Sequence, residues 1–499
     1  MKIALNDGTN LCDNTAELDE NSIFVKTQMN EKYLAQISQN LAQNLGENSP
    51  KDNAQNLKNT KDAQRGSILE IKSGFCETSD TDKTKVYRGS ELKQSTILAQ
   101  KTIAQNLKII EPKDLKNYLN LSPKLIGITG TNGKTTTASC IYSMLLTLGF
   151  RAMLIGTRGV FMNDEKIAPK GLTTPLLLEL YSYIHLAGEQ KCDFVIMEVS
   201  SHAIVQARIE GLEFALKILS NIQSDHLDFH KSRENYIAVK NSFFADSAMK
   251  LINKDCALAR FNVENAYTYG IENSANLKVE AYSVKEGINA LISWNDFRAK
   301  ISEQTALDSA LVGRHNLYNL LCAVACVRLL LRNVPLQAIV DSLNEFGGVE
   351  GRMQVVHKNP LVVVDFAHTA DGMQNIFEAF LGRKINVLFG AGGNRDKSKR
   401  PQMGKIAEIY AQKIYLTSDN PRDENPREII DDILEGIKKR EKVLVDENRK
   451  SAIFRALGEL QGDEILLILG KGDETYQIIG AQKIPFDDRE IVRDFYKKS

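Results

Sequence analysis

The apolar run Lys124-Leu-Ile-Gly-Ile-Thr129 passes through Gly130-Thr131-Asn132-Gly133 and continues without a break into Lys134-Thr135-Thr136 and the helix-like TTTASCIYSMLLTLG. A strand that turns on glycines straight into a helix is the joint of a parallel α/β layer, so this one segment excludes all-α and all-β folds for its part of the chain. The neighbouring pattern agrees. KLIGIT, DFVIMEV, FALKILSNI and MKLIN are short apolar runs separated by amphipathic stretches, as expected for strands buried in a parallel sheet. A turn-like GGVEGR from Gly347 to Arg352 precedes a second set, LVVVDF, INVLFGAGG, KIYLTSDNP and EILLILGKG. In such sheets ligands gather beyond the carboxyl ends of the strands, which is where the polar residues of this chain cluster.

The 499 residues exceed one ordinary core, since domains cluster near ~100 to 200 residues, and three domains are expected. The fold class is α/β. It comprises a small N-terminal α/β domain (1–122), a central P-loop domain on a parallel sheet (123–349) and a C-terminal Rossmann-like α/β domain (350–499). Residues 38–66 are rich in Asn, Gln, Lys and Ser, and form a low-complexity insertion with too little apolar surface to offset ordering. Lys plus Arg equals Asp plus Glu at 63 each, so no global field holds nucleic acid or an anionic membrane. Seven cysteines without a C-x-x-C pair fit free thiols in a reducing compartment. The first residues lack a signal-peptide pattern, and no run approaches ~18 apolar residues, so a cytoplasmic protein is expected.

The glycine loop has phosphate chemistry written into it. Gly130, Thr131, Asn132 and Gly133 let backbone N–H groups turn around phosphate oxygens. Lys134 can neutralise β/γ phosphate oxygens, the Thr135 hydroxyl can ligate Mg2+, and Thr136 continues the helix start. The general spacing G-x-x-x-x-G-K-[ST] is not met, because position 128 is Ile and the nearest glycine, Gly127, lies one residue too far. Met197-Glu198-Val-Ser200-Ser-His202 closes a second strand with an acid. Asp225-His226-Leu-Asp-Phe-His230 follows, with Lys240 fourteen residues past His226. Taken singly, Glu198 reads as a solvated strand end and Lys240 as a surface lysine.

TGTNGKTT at this junction resembles the ATP loop of the Mur ligases and folylpolyglutamate synthetases. MEVSSH, DHLDFH and the later lysine match the Mur pattern in the same order, and the resemblance covers nearly all of residues 120–499. It implies that Glu198 and His226 are Mg2+ ligands and that Lys240 carries a carbamate formed with CO2. It also implies that Asn316 and Asn319 of Gly313-Arg-His-Asn-Leu-Tyr-Asn lie near the adenine; two asparagines at this spacing also suit helix-start caps. Arg352 of GRM and Asp365 of DFAHT join the nucleotide site by the same resemblance. Ala370 stands where the family has Pro, so a looser turn is expected there. The N-terminal domain becomes a uridine-binding domain, with Asn14 in its site. Thr173, Thr174, Ser200, Gln206 and Arg208 fall where the family binds its UDP-N-acetylmuramoyl dipeptide.

Asp419-Asn420-Pro421-Arg422 ends the strand KIYLTS. Arginine offers a planar fork that matches a carboxylate bidentately. In the family, D-N-P-R marks members whose amino-acid substrate has a second, distal carboxylate, as meso-diaminopimelate does and lysine does not. The resemblance further implies that Arg395 clamps the other carboxylate, and that Gly470 and Glu474 receive the distal ammonium. Asp473 stands where the family usually has His. The implied activity is ATP-driven addition of meso-diaminopimelate to the UDP-dipeptide through an acyl phosphate, by a monomer. A lysine-adding relative, a folylpolyglutamate synthetase and, from a different class, a P-loop nucleotide-binding regulator stand as alternatives.

Overall fold

A computed structural model describes residues 2–5, 10–12, 22–25, 109–223, 225–284 and 287–498. Asn14 and the stretch 38–66 lie outside the described residues. By contact density the chain forms two compact units. One comprises residues 1–124, 171–195 and 202–213; the other comprises residues 125–170, 196–201 and 214–499.

In the first unit, β1 (Lys2–Ala4), β2 (Asn10–Cys12), β3 (Ser22–Val25) and β4 (Ile109–Ile110) form one sheet in that order. β1 and β2 pair antiparallel and the other two pairs are parallel. Ile3, Leu11, Ile23 and Val25 share a core with Leu177, Leu178 and Tyr181 of the helix Leu177–Glu189. That helix belongs by packing to this unit, although it follows the glycine loop in sequence.

The large sheet is built on β5 (Lys124–Thr129). Its other strands are β6 (Ala152–Gly156), β7 (Gly159–Met162), β8 (Glu165–Ala168), β9 (Phe194–Glu198), β10 (Leu216–Leu219), β11 (Lys250–Asn253), β12 (Ala266–Gly270), β13 (Leu277–Ser283), β14 (Ile288–Asp296) and β15 (Ile301–Ser309). Their order is β15-β14-β13-β12-β11-β10-β5-β9-β6-β7-β8. The run from β5 through β10, β11 and β12 to β13 is parallel, as the apolar runs predicted. The sheet also carries antiparallel additions at both ends, β13-β14-β15 and β6-β7-β8. Residues of β14 alternate between buried and exposed over much of its length, the mark of a strand with one wet face, so it does not read as a continuous apolar run.

A third sheet comprises β16 (Gln354–Lys358), β17 (Leu361–Asp365), β18 (Lys384–Phe389), β19 (Lys413–Leu416), β20 (Val443–Val445) and β21 (Glu464–Leu469), in the order β16-β17-β21-β18-β19-β20. Only the edge pair β16–β17 is antiparallel. Separate apolar clusters cover its two faces, one around Phe377, Met403 and Ile433, the other around Ile453, Ala456 and Val492. This is the doubly covered sheet that a Rossmann-like domain requires.

Candidate active site

Gly133 adopts φ 85° as the residue before the helix Lys134–Thr147. A Cβ there would stand 2.3 Å from Asn319 Oδ1, and one on Gly130 would stand 1.9 Å from Ser220 Oγ, so both glycines are required by close approach. The loop is pinned from the end of β10. Asn132 N donates to Asn221 Oδ1 at 2.9 Å, Ser220 Oγ donates to Asn132 O at 2.7 Å, and Gln223 N donates to Thr131 Oγ1 at 2.9 Å. Thr131 Oγ1 also meets Tyr236 Oη at 2.9 Å. Ser220, Asn221 and Gln223 are not among the residues expected from the sequence. Their signal was a polar SNIQ directly after an apolar strand.

Two lysines converge on one carbonyl. Lys134 Nζ donates to Gly130 O at 2.8 Å and to Thr131 O at 3.0 Å, and Lys240 Nζ donates to the same Gly130 O at 2.9 Å. Lys240 is buried. Burial, then the Lys134 charge, drives its pKa well below the ordinary lysine value. Burial also lowers Lys134, against the pull of Glu198 and Asp225. Neither amine has an ion pair among the described residues.

Glu198, the last residue of β9, accepts from Thr135 Oγ1 at 3.0 Å, from Thr157 N at 2.9 Å and from Thr157 Oγ1 at 3.0 Å. The strand-end acid is therefore drawn to the phosphate loop rather than solvated. His226 has φ 55° and turns Nε2 to 3.4 Å from Asp225 Oδ2. Burial raises the Asp225 pKa, but His226, His368, Lys399 and a backbone N–H outweigh it and bring it down to about 2. Ser200 follows Glu198 at the same strand end. Among the described residues no three His, Cys, Asp or Glu side chains converge as a metal centre. The Glu198 carboxylate and the Thr135 hydroxyl stand together at the loop.

Asn132, Gly133, Thr136, Asn316, Asn319, Arg352 and Asp365 are among the residues that line a cleft of about 730 Å³. The asparagines are not helix caps: Gly313 precedes the helix Arg314–Leu330. Asn319 Nδ2 donates to Asn316 Oδ1 at 3.1 Å, and Asn316 Nδ2 donates to Val312 O at 2.9 Å. Asp365 accepts from Met353 N at 2.7 Å and Ala367 N at 2.6 Å, and burial raises its pKa against the pull of Arg352. Arg352 lies 4.4 Å over the Phe366 ring. Ala370 is the first residue of the helix Ala370–Glu378. Thr369 caps that helix by accepting from Gly372 N at 3.1 Å, so the turn is closed without the proline.

In the first unit, Thr174 is buried and its carbonyl accepts from Arg208 Nη1 at 2.8 Å, while Arg208 Nη2 donates to Gln206 Oε1. Thr173 lies beside this cluster in sequence.

Asp419, Asn420 and Pro421 are buried at the end of β19. Asn420 Nδ2 donates to Glu474 Oε2 at 2.9 Å, and Asn420 Oδ1 accepts from Ile478 N at 2.9 Å and from Lys471 Nζ at 3.3 Å. Lys471 also pairs with Glu474 at 3.0 Å. Gly470 has φ 110°, and a Cβ there would stand 2.5 Å from Asp419 Oδ2. Arg422 Nη1 donates to Gly393 O at 2.8 Å, and burial followed by repulsion from Arg395 lowers its pKa. Arg400, buried, braces this loop through Glu424, Asp432 and Gly392 O. Asp473, the departure from the family pattern, pairs with Lys170 at 3.2 Å.

The Mur ligase middle domain model matches residues 128–327, and the Mur ligase, glutamate ligase domain model matches residues 351–472. The chain is 54% identical over 430 residues to a UDP-N-acetylmuramoyl-L-alanyl-D-glutamate–2,6-diaminopimelate ligase of Helicobacter hepaticus, covering 85% of this chain and 92% of that protein. It is 59% identical over 383 residues to the ligase of the same name from Wolinella succinogenes, covering 77% and 87%. A solved structure carrying that ligase name superposes with a TM-score of 0.56 at 27% identity, covering 82% of this chain and 90% of the other. A folylpolyglutamate synthase of Mycobacterium tuberculosis reaches 0.57 at 14% identity, covering 72% and 91%, and shares the fold.

Proposed function

The chain belongs to the Mur ligase family, and on that premise we propose how its residues form the amide bond. It is an ATP-dependent ligase that joins meso-diaminopimelate to UDP-N-acetylmuramoyl-L-alanyl-D-glutamate in peptidoglycan synthesis. A carboxylate resists an amine nucleophile because its charge repels the incoming electron pair and it lacks a leaving group. Transfer of the ATP γ-phosphoryl to the D-glutamate γ-carboxylate gives an acyl phosphate and ADP. The diaminopimelate amine then adds to the acyl carbon, and the tetrahedral intermediate expels phosphate.

One observation carries this assignment of roles: the half-buried Lys134 amine and the buried Lys240 amine converge on the Gly130 carbonyl, and neither has an ion pair among the described residues. Arriving β and γ phosphates supply that counter-charge, and Lys134 exchanges its bonds to Gly130 O and Thr131 O for phosphate oxygens. The lysine's contribution is positioning and electrostatic stabilisation of the transferring group. Burial leaves Lys240 with an accessible neutral amine, the form that adds CO2 and loses a proton to become a carbamate. Thr135 and Glu198 are hard oxygen donors 3.0 Å apart, a set that fits Mg2+, which prefers oxygen and takes further ligands from phosphate and water. With His226 they would hold it, and it would offset charge on the transferring phosphoryl.

Asn316, Asn319, Arg352 and Asp365 take the nucleotide side of the cleft. Thr173, Thr174, Ser200, Gln206 and Arg208 take the UDP-dipeptide. Arg422 selects the distal carboxylate of the acceptor, Arg395 holds its other carboxylate, and Gly470 and Glu474 meet the distal ammonium. No described helix is long and apolar enough to cross a membrane, and action in the cytoplasm as a monomer completes the reading. The test is purified protein with ATP, Mg2+ and the UDP-dipeptide, with meso-diaminopimelate or L-lysine as acceptor. ADP release and an amide product only with diaminopimelate are expected. Equal turnover of lysine would overturn the role of Arg422.

A further inference from the structure

We propose that Thr157, with Gly156 beside it, positions the Glu198 carboxylate at the phosphate loop; this rests on the reading of Glu198 as a magnesium ligand. The sheet order explains why a residue so distant from the loop in sequence takes this place. β9 lies between β5 and β6, so Glu198 at the end of β9 rises between the glycine loop that follows β5 and the turn that follows β6. That turn is the two-residue link Thr157-Arg158 of a hairpin in which Gly156 faces Gly159, so its backbone is set by strand pairing on both sides.

Thr157 grips both oxygens of the acid. Its N–H donates to Oε1 at 2.9 Å and its hydroxyl to Oε2 at 3.0 Å. The terminal torsion of a glutamate is broad and weakly preferred by itself, so donors to both oxygens define the plane of the carboxylate and hence where its lone pairs point. Gly156 makes room: a Cβ on it would stand 2.3 Å from Oε1 and 2.9 Å from Cδ of Glu198. The Thr135 hydroxyl also donates to Oε2 at 3.0 Å, but its oxygen is itself assigned to the cation. Thr157 approaches from the turn after β6. It is a positioning residue, acting on the cation through Glu198. Partners of this kind set ligand orientation, and their loss weakens metal affinity by about 10- to 100-fold.

The test uses the full chain with a non-hydrolysable ATP analogue and Mn2+ as probe, free Mn2+ being read by electron paramagnetic resonance. Thr157→Val removes the hydroxyl while keeping the branched shape and the backbone donor. It is expected to weaken Mn2+ binding about tenfold, with Thr157→Ser within about threefold of the parent. Gly156→Ala, which displaces the same carboxylate through a different atom, is expected to weaken it at least as much. Analogue affinity in chelator and the thermal midpoint should not move in Thr157→Val. Glu198→Gln separates the two ideas. If Glu198→Gln loses Mn2+ and Thr157→Val keeps it, the positioning role is wrong and the ligand assignment stands. If Glu198→Gln also keeps it, the ligand assignment is wrong and the inference falls with it. Loss of chelator-state analogue binding in Thr157→Val, in proportion to the loss of Mn2+, would make Thr157 merely structural and overturn the proposal.

Discussion

The glycine loop and the Asp419–Arg422 loop both end buried strands, yet they handle charge in opposite ways. At the glycine loop the amines of Lys134 and Lys240 share one carbonyl oxygen and have no ion pair among the described residues. At the second loop the deeply buried cations are matched. Arg400 pairs with Glu424 and Asp432, Arg449 with Asp488 at 2.7 Å while donating to Leu469 O at 3.0 Å, and Lys471 with Glu474. An uncompensated charge out of water is costly, and a matched pair serves mainly to fix geometry. The first loop thus leaves its two amines without an ion pair among the described residues, whereas the second has its buried cations matched.

Substitutions at the two loops should therefore fail differently. Lys134→Ala is expected to lower turnover by on the order of a thousandfold while the thermal midpoint holds or rises, because an unpaired cation is removed; single-turnover ADP formation measures it, and near-normal product would break the comparison. Arg449→Ala is expected to do the reverse, costing about 3–5 kcal/mol of stability by stranding Asp488, as read by denaturant unfolding. Arg422→Ala is expected to raise the diaminopimelate KM by roughly a hundredfold, from a lost charge-assisted contact of about 1.5–3 kcal/mol, with the ATP KM unchanged. A parallel rise in both would make that arginine part of the frame. The smallest effect belongs to Asp473→His, which removes the partly buried pair with Lys170 and should change stability by about 1 kcal/mol or less.

A pH series sharpens the contrast. Burial lowers the pKa of His315, in the cleft, to about 4, below its unfolded value. The neutral ring therefore favours the folded state above the unfolded pKa, and that advantage is lost as pH falls from about 6.5 towards 4. His315→Phe should flatten the acid limb of a stability profile over that window, and an unchanged limb would show that the ring protonates freely in the fold.

Local chemistry was legible wherever a residue's task depends on its chain neighbours. The strand, glycines and helix of the phosphate loop follow from side-chain size, allowed φ and apolar period. The acid at the end of β9 and the Asn-Pro-Arg after β19 fall at positions that the apolar runs themselves mark. The asparagines at 316 and 319 were found as a pair, but not the reason for them, since the contact of Asn319 with Gly133 spans most of the central domain. Thr157 and Lys170 carried no local signal, being ordinary polar residues in or near turns, and Ser220 and Asn221 carried only that of polar residues after an apolar strand.

What the sequence alone determined was the α/β class, the strand–glycine–helix joint at Gly130–Thr136 and the resemblance that proved to be the family. Tertiary structure decided that β9 lies between β5 and β6, that antiparallel strands extend the large sheet at both ends, and that the helix Leu177–Glu189 joins the N-terminal core. The division has a physical cause. Backbone preferences and hydrophobic period act over a few residues, whereas strand order is chosen by which apolar faces bury one another across long loops, a choice spread over the whole chain.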